Sequence, residues 1–216
     1  MEFKVKLPNF RCPDNLTVHL EKVFDGEYDI PLHIWQPRIL DLGANVGAFA
    51  IWAAYRWSGS KVYSYEPDPE NFKLLTENLE RNHIIPVVPI NRAVGSPGVR
   101  RFYHGPNNSG EGGLHADVTG NLEPGVKIEV MDPLDLPHAH ILKMDIEGCE
   151  LEVLEPLLKD GREYDAILLE YHRAEDRRAI DALLGDYFLA GAEFCTVHRG
   201  VMKYLHGKYY QEFLPK

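Results

Sequence analysis

The sequence predicts an α/β fold built on a mostly parallel sheet with helices on both faces, and three observations carry that prediction. Short apolar segments alternate with amphipathic ones from Arg38 onward, the pattern of strands separated by helices. The first apolar segment, Ile39-Leu40-Asp41-Leu42, runs into the turn Gly43-Ala44-Asn45-Val46-Gly47, where backbone can approach a ligand closely. The last two segments, residues 194–197 and 201–205 around His198-Arg199-Gly200, read as an antiparallel hairpin at the sheet edge. With 216 residues, 44% of them hydrophobic, the chain supplies one sizeable core and is short for two α/β units. Residues 1–216 are therefore expected to form a single domain.

Along the chain, residues 1–37 are broken by Pro8, Pro13, Pro31 and Pro37 and are expected to be strands or hairpins capping the sheet or a pocket. Residues 38–42 form a strand, 48–57 an apolar helix and 61–65 a second strand. Asp68 caps the next helix and Pro69 takes its first position. Phe72, Leu75 and Leu79 share the inner face of that helix, with Lys73, Glu77 and Glu80 outside. Residues 84–90 make a third strand. Residues 95–125 then break the alternation with eight glycines, one strand at 99–103 and the character of a lid or substrate loop. Strands follow at 127–130 and 141–145. Leu151, Leu154 and Leu158 line a helix that Pro156 is expected to end or kink. Residues 166–171 are a strand, and 175–190 a helix around Ile180, Leu183 and Leu184 closed by Gly191.

A formal net charge of −10 opposes non-specific binding to nucleic-acid backbones or anionic membranes, so neither is an expected partner. Arg92, Arg100 and Arg101 are read as a solvated face. Cys12, Cys149 and Cys195 are widely spaced and form no Cys-x-x-Cys pair, which fits a reducing compartment. The first residues lack an apolar signal region, and the longest apolar run, 48–55, is too short to span a bilayer. A soluble, cytoplasmic protein is expected.

The glycine turn has the spacing Asp41-x-Gly43-x-Asn45-x-Gly47, and Tyr65-Glu66-Pro67-Asp68-Pro69 closes the next strand. An acid at that place can accept hydrogen bonds from both ribose hydroxyls, which points to an adenosine cofactor. Dinucleotide sites need a third glycine and ATP sites a lysine in the turn, and neither is present. Asp41 would repel a pyrophosphate but suits an amino or cationic group. S-adenosylmethionine carries a sulfonium, an amino group and no phosphate. The alternative is a strand-turn-helix whose glycines only permit tight packing.

Lys143-Met144-Asp145-Ile146-Glu147-Gly148 is the second motif. Residues two apart on a strand face one way, so Lys143 and Asp145 share a side, joined by Glu147 if the strand extends that far. The crevice beyond the carboxyl ends of parallel strands is where ligands bind, which places Asp145 beside a transferable methyl group. A structural Lys-Asp pair, with Glu147 as a first-turn acid, is the other reading. Glu170 and His172 share a face of the adjacent strand, and His172 has the ordinary pKa of a general base for a hydroxyl acceptor. Asp145, Glu147, Glu170 and His172 could instead hold a divalent cation, but no compact ligand spacing supports it and no metal is assigned. His104 and His115 in the glycine-rich stretch are read as solvated.

Taken together, Asp41 to Gly47, Tyr65 to Pro69, Asn91-Arg92-Ala93-Val94-Gly95, Leu142 to Gly148 and Glu170-Tyr171-His172 resemble the FkbM family of S-adenosylmethionine-dependent methyltransferases. The resemblance runs in order from about Gly26 to Leu205. It implies a Rossmann-like class I methyltransferase fold, a seven-stranded sheet with a reversed last strand, and O-methylation of small-molecule or sugar hydroxyls. It also implies that Glu66 holds the ribose, that Asp41, Gly43, Ala44, Asn45 and Gly47 hold the methionine end, that Arg92 and Ala93 lie at the adenine, and that Pro67 belongs to the cofactor site. Asn45 stands where many class I methyltransferases have glycine, although it fits the FkbM-like version. The acceptor is expected to be a sugar, glycan or polyketide-like hydroxyl. The competing functions are an RNA or protein N-methyltransferase and a non-catalytic S-adenosylmethionine-binding subunit. Many N-methyltransferases carry Asn/Asp-Pro-Pro-aromatic where this chain has Asp145-Ile146-Glu147-Gly148.

Overall fold

The structure is a computed structural model that describes residues 9–13, 16–103, 112–115 and 125–213. Five parallel strands form its centre: β1 (Arg38–Leu42), β2 (Lys61–Tyr65), β3 (Val87–Ile90), β7 (Ile141–Met144) and β8 (Ala166–Tyr171). A terminal hairpin, β9 (Tyr187–Phe194) and β10 (Gly200–His206), completes a seven-stranded sheet in the order β3-β2-β1-β7-β8-β10-β9. β10 is antiparallel to both neighbours, so the last strand is the reversed one, as expected. Three further strands, β4 (Ala93–Val94), β5 (Gly98–Arg101) and β6 (Lys127–Met131), make a separate small sheet in the order β4-β6-β5. The sequence signalled β5 and β6 but not that they form a sheet of their own with β4.

Alternation along each strand divides the core between two faces. Ile39, Val62, Ile141 and Leu168 pack against α1 (Thr17–Phe24), α2 (Ala48–Arg56) and α3 (Pro69–Arg81). Leu40, Leu142, Ile167 and Leu169 pack against α4 (Glu150–Lys159) and α5 (Ala174–Leu183). The α3 cap forms as its sequence predicts, with Asp68 accepting from the N–H groups of Glu70 and Asn71. No helix among the described residues is long and apolar enough to cross a membrane.

Four local expectations are corrected. Residues 17–24 are helical, not extended, and Leu16, Leu20, Val23 and Phe24 fall at helical spacing and are buried. β3 begins only at Val87. Pro156 does not end α4, which runs on to Lys159. An interior proline costs about 3 kcal/mol. Val153, Leu154 and Leu157 are fully buried on the inner face, each contributing roughly 1.5–3 kcal/mol, and Leu157 lies beyond the proline. Finally, the helix expected at 175–190 stops at Leu183, and residues 187–194 are strand. Tyr187, Phe188 and Leu189 favour extended backbone and pair with β10, so Gly191 lies within a strand and is no helix cap.

Candidate active site

The turn after β1 is shaped by three positive backbone angles, φ 78° at Gly43, 50° at Asn45 and 94° at Gly47. A side chain at Gly43 would place its Cβ 1.8 Å from the carbonyl oxygen of Asp145, so only glycine lets β1 and β7 end this close together. Asparagine is the side-chain-bearing residue that best tolerates the left-handed region, which accounts for Asn45 at a position where glycine is the usual alternative. Its N–H donates to Glu66 Oε2 at 2.7 Å, and the N–H of Asp68 donates to Glu66 Oε1 at 2.9 Å. Burial raises the Glu66 carboxyl to about 8 against these two donors. A carboxyl with a folded pKa above its unfolded one binds more protons in the native state between the two values. Ligand-free protein is therefore expected to lose stability as pH rises from about 4.5 to about 8. Glu66→Gln should flatten that slope in urea denaturation across pH.

Two cavities open on this turn. The first, about 590 Å³, is lined by Glu66, Pro67, Asn71, Arg92, Ala93 and Phe102 among others. The second, about 1030 Å³, runs from α1 past Glu27 and Tyr28 to Glu170 and Arg199. Gly43, Asn45, Asp145 and Glu147 border both, and so mark their junction. Gly43, Ala44, Asn45, Glu66, Pro67, Arg92 and Ala93, all expected at a cofactor, thus line a cavity.

Asp41 and Gly47 line neither. Gly47 begins α2, and a Cβ there would come within 2.7 Å of Leu75 Cδ1, so its role is packing. Asp41 is fully buried, accepts from Ser64 Oγ at 3.0 Å and faces Lys143 Nζ at 3.2 Å. Lys143 also donates to the carbonyl oxygen of Gly43 at 2.8 Å. Burial pushes the Lys143 ammonium down, but Asp41 and Asp145 outweigh it and keep it charged. Lys143 touches the wall of the second cavity while its ammonium pairs with Asp41. The acid partner that the motif suggested for Lys143, Asp145, yields first place to Asp41 on the neighbouring strand. Lys143→Met should cost about 3–5 kcal/mol in urea denaturation by stranding Asp41, and Asp41→Asn in the same chain should restore most of it.

β7 ends at Met144, and Glu147 does not continue its alternation: it sits at φ 53° in the turn before α4. That left-handed backbone, costing about 1–3 kcal/mol for such a residue, turns its carboxylate to His172. His172 Nε2 lies 3.1 Å from Glu147 Oε2 and 3.9 Å from Asp145 Oδ1, while Nδ1 is 3.0 Å from Glu150 Oε1. Burial lowers the His172 pKa, but Glu150, Glu147 and Asp145 outweigh it and raise it to about 10. Burial also pushes the Glu147 carboxyl up, and both partners of one contact cannot hold its proton. The ring, facing three carboxylates, keeps it. His172 lies behind the junction, lining neither cavity, and the three carboxylates around it favour its protonated ring in the ligand-free protein. At Asp145, burial raises the pKa, and Lys143, His172 and Arg199 bring it below the usual carboxylate range.

Glu170 borders the second cavity and pairs with Arg199. Arg92 meets Glu129 at 3.0 Å and Arg100 meets Glu152 at 2.8 Å. His115 faces Glu152 at 3.9 Å, and His104 lies outside the described residues, as does most of the expected lid. Glu150, Asn71 and Phe102 were not foreseen. Glu150 could have been suspected as an acid on the apolar side of α4, where it is fully buried.

Residues 41–211 match the family model of the methyltransferase FkbM domain. The chain belongs to this family. Among FkbM relatives, the hexuronic acid methyltransferase AglP of Haloferax volcanii is 26% identical over 149 residues, 68% of this chain and 60% of AglP. The 31-O-demethyl-FK506 methyltransferase FkbM of Streptomyces tacrolimicus is 31% identical over 85 residues, 39% of this chain and 33% of that protein. The crystal structure of a methyltransferase FkbM from Methylobacillus flagellatus aligns with TM-score 0.56 and 20% identity, over 82% of this chain and 45% of the other. The chain thus spans less than two thirds of each of these three proteins, and the solved structure speaks for the fold alone.

Proposed function

We propose that the protein is an S-adenosylmethionine-dependent O-methyltransferase whose acceptor is a hydroxyl of a sugar, glycan or polyketide-like molecule. The observation that carries this reading is the meeting of two cavities at Gly43, Asn45, Asp145 and Glu147. One cavity suits a nucleoside and the other an acceptor. Two features fit the cofactor. Both Glu66 oxygens are fixed by backbone N–H groups and retain lone pairs for ribose hydroxyls. Asn45 Oδ1 and Asp145 Oδ1 are buried at the junction with no hydrogen-bond partner among the described residues, as expected of atoms awaiting a polar ligand. In this reading Glu66 holds the ribose, Arg92 and Ala93 border the adenine, and the Gly43 to Asn45 backbone faces the methionine end.

S-adenosylmethionine supplies a methyl group made electrophilic by its sulfonium. The residues of the chain then have two tasks, to aim a hydroxyl oxygen at that methyl and to receive its proton. Asp145 borders both cavities and is ionised. A carboxylate this weakly basic cannot ionise an alcohol beforehand. It would take the proton as the methyl passes from sulfur to oxygen, the S–C bond breaking to leave the neutral thioether while the hydroxyl becomes acidic. His172, 3.9 Å away, adds positive charge beside Asp145, and the proton is assigned to neither Glu147 nor His172. AglP is named for a hexuronic acid and the Streptomyces relative for a 31-O position, and both names agree with an oxygen acceptor on a small molecule.

Incubation with methyl-labelled cofactor and panels of glycans, polyketides, RNA and protein tests this reading. Label on a hydroxyl oxygen is the expected result. Label on nitrogen, or cofactor binding without transfer to any panel, would overturn it in favour of an N-methyltransferase or a non-catalytic subunit.

A further inference from the structure

The junction carries a nitrogen ligand beside two carboxylates. His172 Nε2, Glu147 Oε2 and Asp145 Oδ1 belong to a group whose ligand atoms all lie within 4.8 Å of one another. Ligands about 2.1 Å from one ion sit roughly 3–3.5 Å apart, and here the contacts to Nε2 are 3.1 and 3.9 Å. Although Nε2 is close to Glu147, it makes no aligned hydrogen bond: both Nε2 and Asp145 Oδ1 are buried without such a partner among the described residues. The His172 side chain is only 3% exposed. Its other nitrogen is bound to Glu150 Oε1, which also accepts from the N–H groups of Ile146 and Gly148. A buried carboxylate fixing Nδ1 is the usual outer support of a metal-ligating histidine, because it orients the ring and, once the arriving ion displaces the Nε2 proton, directs that lone pair at the ion. Glu147 is brought to the same point by a strained backbone angle.

We propose that Asp145, Glu147 and His172 form a site for one first-row divalent cation of the Mn²⁺, Co²⁺ or Zn²⁺ class, held by Glu150 from behind and facing the acceptor cavity. One imidazole and two carboxylates suit these ions better than Mg²⁺ or Ca²⁺, which prefer oxygen alone. An ion there would polarise an acceptor hydroxyl. That role rests on the methyltransferase reading, whereas binding of the ion does not. A second cluster, His115, Cys149 and Glu152, is less apt because Glu152 is already engaged by the Ser96 N–H and Arg100.

The test is titration of the metal-stripped full chain with Co²⁺, followed by its visible absorption, and with Mn²⁺, followed by loss of the free-ion paramagnetic resonance signal. One saturable ion per chain is expected. Glu147→Gln and Asp145→Asn should each weaken it at least tenfold, Glu150→Gln about tenfold, and Cys149→Ser should leave it unchanged. These near-isosteric changes are checked for folding by circular dichroism. Absence of saturable binding to folded wild type, binding indifferent to Glu147→Gln, or binding lost in Cys149→Ser overturns the site. Ion binding in a chain that fails to bind S-adenosylmethionine would uphold the site and sink the methyltransferase reading. Transfer undiminished by a chelator, with no ion bound, would do the reverse.

Discussion

Glu66→Ala should weaken S-adenosylmethionine binding by about 10²–10⁴-fold in calorimetry, the largest loss expected from any single change in the first cavity. Two hydrogen bonds from ribose hydroxyls to a carboxylate are worth roughly 1.5–3 kcal/mol each, and about 1.4 kcal/mol is tenfold in affinity. Removing Glu66 also strands the N–H groups of Asn45 and Asp68 that its oxygens accept. Glu66→Gln keeps the shape but turns an amide donor toward one of those N–H groups, so an intermediate loss is expected. Because burial places the Glu66 pKa at about 8 in the ligand-free protein, ribose hydroxyls that favour its ionised form should displace a proton near neutral pH. Calorimetry in buffers of different ionisation enthalpy would register that proton. Binding of Glu66→Ala within a few-fold of wild type would show that the nucleoside lies elsewhere.

Asp145→Asn should lower turnover by about 10²–10⁴-fold, the range of a lost general base, while leaving affinity for S-adenosylhomocysteine within a few-fold. The separation of the two effects follows from position. Asp145 contributes its side chain to the junction, whereas the close approach at Gly43 involves its backbone oxygen, which the substitution retains. Single-turnover transfer of labelled methyl is the measurement. Wild-type rates would remove Asp145 from the chemistry, and loss of cofactor affinity in proportion to rate would make it a binding residue.

Local chemistry explains which parts of this protein could be read from its sequence. Asp68-Pro69, the alternation in residues 38–65 and the apolar strands at 141 and 166 announce themselves because each forms from neighbouring residues under one strong preference. Residues 17–24 carry the helical spacing Leu16, Leu20, Val23 and Phe24, but they are flanked by Pro13 and Pro31, which favour a broken, extended chain. Residues 187–194 could not be assigned locally, since pairing with β10 decides their state. The site divides in the same manner. Gly43, Asn45 and Glu66 were legible because a tight turn and a ribose acid restrict residue choice. The partner of Lys143, Asp41, is not legible locally because it is remote in sequence and adjacent only across β1 and β7. The surroundings of His172 are not legible locally, because Glu150, which holds its ring and raises its pKa, is a helix residue that only the tertiary fold brings near.

A crystal structure of the chain with S-adenosylhomocysteine tests the central claim most directly. The account requires the ribose hydroxyls on Glu66, the adenine beside Arg92 and Ala93, and the sulfur at the junction bordered by Gly43, Asn45, Asp145 and Glu147. A nucleoside seated in the second cavity, against Tyr28 and Arg199, would contradict it.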